Sequence, residues 1–156
     1  SACRYAPAGV RSFGPVRAGL VTGGMSLADV DAQVLCLPMI ETAAALERVD
    51  EICAVPGVDG LYIGPSDLSV SLGLPPYTDP VAEELLAAIA SIRAAAAAHG
   101  LPVGIHTTSG RQARAYLDVG LDMVTVSTDA AILRTAVSAE LAAARGAGDV
   151  ASTGGY

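Results

Sequence analysis

The chain contains no lysine and no tryptophan, and aromatic residues make up only 4% of it. All nine basic residues are arginines. Schiff-base aldolases, pyridoxal phosphate enzymes and P-loop nucleotide hydrolases each need a lysine amine. None of these three mechanisms can therefore be built from the residues of this chain alone.

Positive charge and long apolar runs are also scarce. The net charge of −7 disfavours nucleic acid as a partner. No segment reaches the roughly 20 apolar residues that a membrane-spanning helix needs. The three cysteines, Cys3, Cys36 and Cys53, lack the spacing of a zinc site, and their odd number does not suit a disulfide scaffold. We therefore expect a protein of the reducing cytoplasm.

The 156 residues are enough for one domain with a sizeable core. Residues 1–25 are rich in glycine and proline and predict a loop with at most a short helical turn. The chain opens inside this loop without a methionine, so we expect it to be part of a longer protein. Residues 146–156, rich in glycine, serine and threonine, predict a loose tail.

Strand-like and helix-like segments alternate between these ends, which is the pattern of a parallel α/β fold. Strands are predicted at residues 34–40, 60–64, 103–106 and 123–127. The first is a continuous apolar run, as expected for a strand buried on both faces. The helix signals are Thr42 as the cap of a helix to about residue 52, Asp79 and Pro80 at the start of an alanine-rich helix to His99, Ser109 before a helix that ends near Gly120, and Thr128 or Asp129 before a last helix to about Arg145.

This pattern contains four βα units, half the number in a (β/α)8 barrel, which typically has about 250 residues. The count fits the C-terminal half of such a barrel, but a small open parallel sheet that is complete in itself fits the pattern as well. In the half-barrel interpretation, residues 1–156 are a single partial domain. It comprises an entry loop and helix at 1–33, four βα units at 34–145 and a tail at 146–156.

Four polar residues fall where predicted strands end, the edge at which parallel α/β folds place their active sites. They are Glu41, Asp67, His106 and Asp129. Taken singly, each has a structural explanation: a carboxylate near a helix N-terminus, an N-cap, or a hydrogen bond at the rim of the sheet. Glu41 and Asp67, however, end adjacent strands. Together they predict two oxygen ligands for a hard divalent cation, Mg²⁺ or Mn²⁺.

Two strings carry a family resemblance: LPMIET at residues 37–42 and VPGVDGLYIGPSDLSVSLG at residues 55–73. They closely resemble the metal-binding strands of the HpcH/HpaI aldolase family, which cleaves 4-hydroxy-2-oxo acids to pyruvate and an aldehyde. The string YAPAGVR at residues 5–11 is similar to the Pro-Pro-x-Gly-x-Arg loop of that family. The resemblance extends over almost the whole chain and favours the half-barrel.

The resemblance implies that Glu41 and Asp67 are the metal ligands. It also implies Lewis-acid catalysis on a 2-oxo acid whose carboxylate is bound in the turn of Gly64, Pro65, Ser66 and Asp67, through backbone N–H groups. The family's catalytic histidine and arginine would lie on strands before the start of this chain. We therefore expect the 156 residues alone to be inactive.

Among the departures from the family pattern, two lie near the expected ligands. Met39 stands where many members carry glutamine, which removes a possible polar contact with the substrate, and Ser66 stands where alanine is usual. For His99 a position at a helix C-terminus suffices as an explanation. Arg11 can reach the mouth of the site or hold its own loop, and the loop is the favoured interpretation.

Two rival functions remain open at this point. One is a CoA-thioester lyase of the citrate lyase β or malyl-CoA lyase type. Such lyases add basic residues that bind CoA, and the segment at 63–69 has none, which favours the aldolase. The other is a non-catalytic fragment that only binds metal. The resemblance further implies a homo-oligomer, a hexamer in which the last helix packs on a neighbour, unless its apolar stripe covers its own sheet. The stripe consists of Ile132, Leu133, Val137 and Leu141.

Overall fold

The computed structural model describes residues 2–14, 16–76 and 81–146. Short parallel strands alternate with helices in these ranges. The elements are α1 (Val16–Thr22), α2 (Leu27–Gln33), β1 (Met39–Ile40), α3 (Ala43–Glu47), α4 (Val49–Cys53), β2 (Leu61–Ile63), α5 (Pro65–Ser71), α6 (Glu83–Ala98), β3 (Val103–His106), α7 (Gly110–Asp118), β4 (Met123–Thr125) and α8 (Asp129–Ala144). The chain divides into two compact units, one up to Val103 and one from Gly104 onward.

The first unit is built on the parallel pair of β1 and β2. Ile40 lies opposite Ile63, and Met39 lies opposite Tyr62. Side chains alternate between the faces of a strand, so the two isoleucines share one face. Both are fully buried, and α6 packs against α4 and α5. The other large apolar side chains that are fully buried among the described residues of this unit are Leu61, Leu68 and Ile92.

The second unit is built on the parallel pair of β3 and β4. Ile105 lies opposite Val124, and His106 lies opposite Thr125. Helix α7 packs on β4 and buries Ala113 and Tyr116. No residue of α8 is buried in the part of the chain that the structure describes.

Side-chain caps begin three helices where the sequence predicted them. The hydroxyl of Thr42 accepts a hydrogen bond from Ala45 N (3.1 Å), and that of Ser109 accepts one from Gln112 N (3.2 Å). For α8 the cap is Thr128, whose hydroxyl accepts from Ala131 N at 3.2 Å. Asp129 is the first residue of that helix rather than its N-cap. Each cap satisfies an N–H group that has no acceptor within its helix.

The N-terminal region differs from the sequence prediction. Residues Val16–Thr22 form a helix, α1, where a loop with at most a short turn was expected. The glycines that suggested a loop act after the helix instead. Gly23 and Gly24, with φ of 60° and 87°, adopt the left-handed conformations that end it.

The predicted strand at 34–40 is wrong in its extent, because only Met39 and Ile40 are strand. The side chain of Asp59 explains the difference. Its carboxylate accepts a hydrogen bond from Cys36 N at 2.7 Å, taking the place of a strand carbonyl. The segment is also not buried on both faces, since Leu35 is 67% exposed.

Other boundaries shift by smaller amounts. The helix expected from 43 to 52 breaks at Arg48 (φ −112°, ψ 18°) into α3 and α4. The predicted start of the long helix at Asp79 and Pro80 lies outside the described residues, and α6 is described from Glu83. The tail at 147–156 also lies outside them. No helix in the described ranges has the length and apolarity needed to cross a membrane.

Candidate metal and substrate site

Glu41 directly follows β1, and the register of the strands places it beside Gly64, the residue after β2. The two residues are in close contact. A Cβ atom at position 64 would lie 3.0 Å from the Cβ of Glu41 and 3.1 Å from its Oε2. Glycine at this position therefore lets the half-buried Glu41 carboxylate lie directly against the turn that begins α5.

Asp67 lies in the first turn of α5. Gly64 is the N-cap, Pro65 is the first helical residue and Asp67 is the third, so the interpretation of Asp67 as an N-cap is wrong. A carboxylate in the first turn is favoured by the helix dipole. The Asp67 side chain is exposed, while its neighbour Leu68 is fully buried and anchors the helix.

A hydrogen bond that the sequence did not reveal joins the turn that follows β1 to the helix that carries Asp67. The N–H of Ala43, two residues after Glu41, donates to Oγ of Ser71 at 2.9 Å. Ser71 is the last residue of α5. The turn after β1 is thus held to the helix that carries Asp67. In the sequence, the only indication of this hydrogen bond was a serine one helical turn after Asp67.

The carboxylates of Glu41 and Asp67 have no cationic partner among the described residues. Among the described residues, neither carboxylate forms an ion pair or a side-chain hydrogen bond. The same ranges contain no group of three or more His, Cys, Asp or Glu arranged to hold a metal ion. Two such carboxylates, one directly after β1 and one in the first turn of the helix after β2, are the kind of oxygen ligand that Mg²⁺ and Mn²⁺ accept, and these cations keep further positions for water and substrate.

Backbone N–H groups at the start of α5 offer a place for an anion. The first bond within this helix runs from Leu68 N to Gly64 O at 2.9 Å. The N–H groups of Ser66 and Asp67 precede it, so they have no acceptor within the helix. Pro65 has no N–H and fixes the first helical residue.

His106, the last residue of β3, hydrogen-bonds within its own unit. Its Nδ1 lies 2.9 Å from Oγ1 of Thr125, its partner in register on β4. This contact matches the rim hydrogen bond expected from the sequence. His99 is the C-cap of α6, and its Nε2 lies 2.9 Å from Oδ1 of Asp50.

Arg11 holds the entry loop. Its guanidinium carbon lies 4.7 Å from the ring centroid of Tyr5, a cation–π contact, and its N–H donates to Arg4 O at 2.9 Å. The Tyr5 N–H in turn donates to the carboxylate of Asp31. These contacts agree with the loop role for Arg11.

The chain belongs to the HpcH/HpaI aldolase/citrate lyase family, whose model matches residues 1–136. The sequence resemblance is thereby confirmed. The predicted fold class is confirmed as well, because the described βα units correspond to about half of a solved TIM-barrel protein of this family.

Individual relatives are named as aldolases. The chain is 46% identical over 145 residues to a hydroxypyruvate/pyruvate aldolase of Rhizorhabdus wittichii, an alignment that covers 93% of this chain and 58% of the relative. It is 37% identical over 141 residues to a 4-hydroxy-2-oxovalerate aldolase of Rhodococcus jostii, covering 88% and 53%. The crystal structure of an HpcH/HpaI family protein from Burkholderia cenocepacia is similar with a TM-score of 0.77 and 34% identity, covering 89% and 54%. The chain thus spans little more than half the length of the relatives it matches.

Proposed function

We propose that the protein containing this chain is a divalent-metal-dependent aldolase that cleaves 4-hydroxy-2-oxo acids to pyruvate and an aldehyde. One observation carries the proposal: the Glu41 carboxylate lies against Gly64, the residue that begins the helix bearing Asp67. The names of the two relatives support the aldolase class.

In this proposal Glu41 and Asp67 hold one Mg²⁺ or Mn²⁺ through their oxygens. A bound cation supplies Lewis acidity, which polarises the 2-oxo group and stabilises the enolate left when the carbon–carbon bond breaks. Other aldolases stabilise the carbanion through a Schiff base between a lysine and the 2-oxo group. This chain has no lysine and cannot supply that amine.

The turn from Gly64 to Asp67 binds the substrate carboxylate. The N–H groups of Ser66 and Asp67 donate to it, as first-turn N–H groups do to anions. Gly64 contributes by lacking a side chain, and Pro65 by fixing the backbone of the first helical residue. Replacement of the family's usual alanine by Ser66 leaves this function intact, because the backbone binds.

Proton transfer requires groups outside this chain. The family resemblance assigns it to a histidine and an arginine that we place in the remainder of the protein. The 156-residue chain alone is therefore expected to bind a cation weakly and to release no pyruvate at an enzyme-like rate.

Assembly is part of the proposal. The stripe of α8 does not cover the strands of its own unit, since Ile132, Leu133, Val137 and Leu141 are each 47–65% exposed. Exposed apolar surface of this kind is typical of an interface. We propose a homo-oligomer with α8 at a subunit contact, and a monomeric mass from light scattering on the intact protein would contradict it.

The test compares Glu41→Gln and Asp67→Asn in the intact protein with Glu47→Gln, which removes an exposed carboxylate from the same region. Pyruvate release from a 4-hydroxy-2-oxo acid and Mn²⁺ binding by calorimetry are measured for each. Mutation of a residue that only orients a metal ligand typically lowers metal affinity or activity by roughly 10–100-fold. Mutation of Glu41 or Asp67 itself should lower both by more than this. The Glu47 variant should match the wild type.

Chelation and alternative substrates complete the test. EDTA should abolish pyruvate release, and Mg²⁺ or Mn²⁺ should restore it. Activity that survives thorough chelation would contradict the metal mechanism. Cleavage of a CoA thioester instead of the 4-hydroxy-2-oxo acid would favour the lyase, and metal binding without turnover would favour a non-catalytic role.

A further inference from the structure

Cys3 and Cys36 are brought together by a shared partner, Asp59. Arg4, the residue after Cys3, donates from Nη2 to Asp59 Oδ2 at 3.2 Å and from Nη1 to Val34 O at 2.6 Å. The N–H of Cys36 donates to the same Asp59 oxygen at 2.7 Å. One carboxylate oxygen therefore holds both the neighbour of Cys3 and the backbone of Cys36.

The loop that carries Cys3 is fixed by further bonds. Tyr5 N donates to the Asp31 carboxylate at 3.0 Å, and Gly9 N donates to Tyr5 O at 2.8 Å. Tyr5 itself is only 6% exposed. The position of Cys3 is thus set by two consecutive anchored residues, Arg4 and Tyr5.

The surroundings of Cys36 also affect its acidity. Partial burial, and then the nearby Cys3 thiol, raise the pKa of the Cys36 thiol. Both cysteines are reduced and partly exposed, whereas Cys53 is reduced and buried.

We propose that Cys3 and Cys36 form a redox modification site that reacts with low-molecular-weight disulfides such as oxidised glutathione and closes to an intramolecular disulfide. Disulfides in reducing compartments are usually transient and redox-sensing. The site is separate from the cation ligands, and it does not depend on the aldolase activity.

The reaction proceeds by two thiol–disulfide exchanges. A Cys3 thiolate attacks one sulfur of oxidised glutathione, the glutathione S–S bond breaks, and one glutathione thiolate leaves as a mixed disulfide forms on Cys3. The Cys36 sulfur, having released its proton to solvent, then attacks Cys3 Sγ and expels the second glutathione thiolate. Two protein thiols are oxidised by two electrons in all, and one glutathione disulfide is reduced to two thiols.

The order of the two steps follows from the surroundings of Cys36. Because its pKa is raised, Cys36 contains less thiolate at neutral pH and is the poorer starting nucleophile. Cys3 therefore reacts first and Cys36 resolves the mixed disulfide. The Cys36→Ser variant should accumulate a glutathione adduct on Cys3, and the Cys3→Ser variant should accumulate little adduct on Cys36.

The test incubates the intact protein with oxidised glutathione, alkylates the remaining thiols in denaturant and maps the peptides by mass spectrometry. We expect a cross-linked pair of peptides containing Cys3 and Cys36, with Cys53 alkylated. The Cys53→Ser variant, as the matched control, should form the same cross-link. A stable mixed disulfide on Cys3 in the wild type, or a cross-link through Cys53, would overturn the proposal.

A second test measures the stability of the wild-type protein before and after oxidation, so it does not depend on whether a variant folds. Closing the segment between Cys3 and Cys36 restricts the unfolded chain, so oxidation should raise Tm by about 5–15 °C. If the cross-linked wild type had an unchanged or lowered Tm, the disulfide would be strained. Arg4 and Asp59 would then not position the two cysteines for bond formation, and the proposal would be wrong.

Discussion

The carboxylate of Glu41 occupies space that any side chain at Gly64 would need. A Cβ at Gly64 would also approach the Met39 sulfur to 3.2 Å, so it would meet both residues. Position 64 joins β2 to α5, and its lack of a side chain sets how closely the end of β1 approaches the start of that helix.

We therefore predict that Gly64→Ala displaces Glu41. Overpacking of this kind typically costs about 1–3 kcal/mol of stability. Mn²⁺ affinity should fall by about 10–100-fold, as for other residues that position a metal ligand. Calorimetric titration and urea unfolding of the intact protein measure the two effects.

The matched control is Gly110→Ala in α7, where the nearest atom to an added Cβ is Val126 Cγ1 at 3.9 Å. There the substitution should be neutral or stabilise the protein by up to about 1 kcal/mol, because alanine is the better helix former. Equal Mn²⁺ affinities for Gly64→Ala and the wild type would contradict the role given to Gly64.

A second prediction concerns Asp59, which binds both Arg4 and Cys36 N. Asp59→Ala leaves a partly buried guanidinium and a backbone N–H without this acceptor, so it should cost about 1–3 kcal/mol. The comparison is Asp118→Ala, which breaks the exposed Arg114–Asp118 pair and should leave the urea midpoint nearly unchanged, because solvent screens an exposed ion pair. Similar urea midpoints for the two variants would show that Asp59 is not an anchor.

Tyr116 provides a prediction about pH. Its side chain is 4% exposed, and its hydroxyl has no hydrogen-bond partner among the described residues. Burial raises its pKa, so the folded protein favours the neutral phenol. The stability linked to this group is fully present below its unfolded pKa of about 10 and is lost as pH rises through the higher folded pKa.

Tyr116→Phe should accordingly leave stability at neutral pH unchanged or raise it by up to about 1 kcal/mol, because an unpaired buried hydroxyl is removed. Its advantage over the wild type should grow above pH 10. Urea unfolding at pH 7 and pH 10.5 measures both effects. A variant that is clearly less stable at neutral pH would mean that the hydroxyl has a partner.

The lack of lysine gives a chemical prediction. Borohydride reduction in the presence of pyruvate traps the Schiff base of a lysine-dependent aldolase as a stable adduct. With the intact protein no adduct should be found by mass spectrometry on the residues of this chain. A trapped pyruvyl group on any peptide of the 156 residues would contradict the proposed mechanism.

Local signals in the sequence were enough for the elements whose causes are local. The strand at 103–106 and the cap Ser109 were predicted correctly, and Thr128 was one of the two caps predicted for the last helix. A short apolar run, or a hydroxyl residue just before a helical pattern of apolar residues, can be recognised within a few positions of the sequence. The positions of Glu41 directly after β1 and of Asp67 shortly after β2 also follow from local signals, and their role as metal ligands stays a prediction.

The errors arose where distant residues decide the structure. The strand at 34–40 was predicted too long because the Asp59 carboxylate, far along the chain, takes the N–H of Cys36. The contact between Arg4 and Asp59 spans 55 positions and has no local signature. The close approach of Gly64 to Glu41 likewise depends on the strand register, which no single segment reveals.

The two proposed ligands are separated by little more than one βαβ unit, β1 to β2, with α5 directly after it. Closing so short a segment costs little entropy, and contacts of this range form quickly during folding. We expect the pair to assemble before the second unit is complete. A cation that binds the assembled pair but not the unfolded chain would then stabilise this unit in its own right, so the supply of metal would affect the stability of the fold as well as the proposed catalysis.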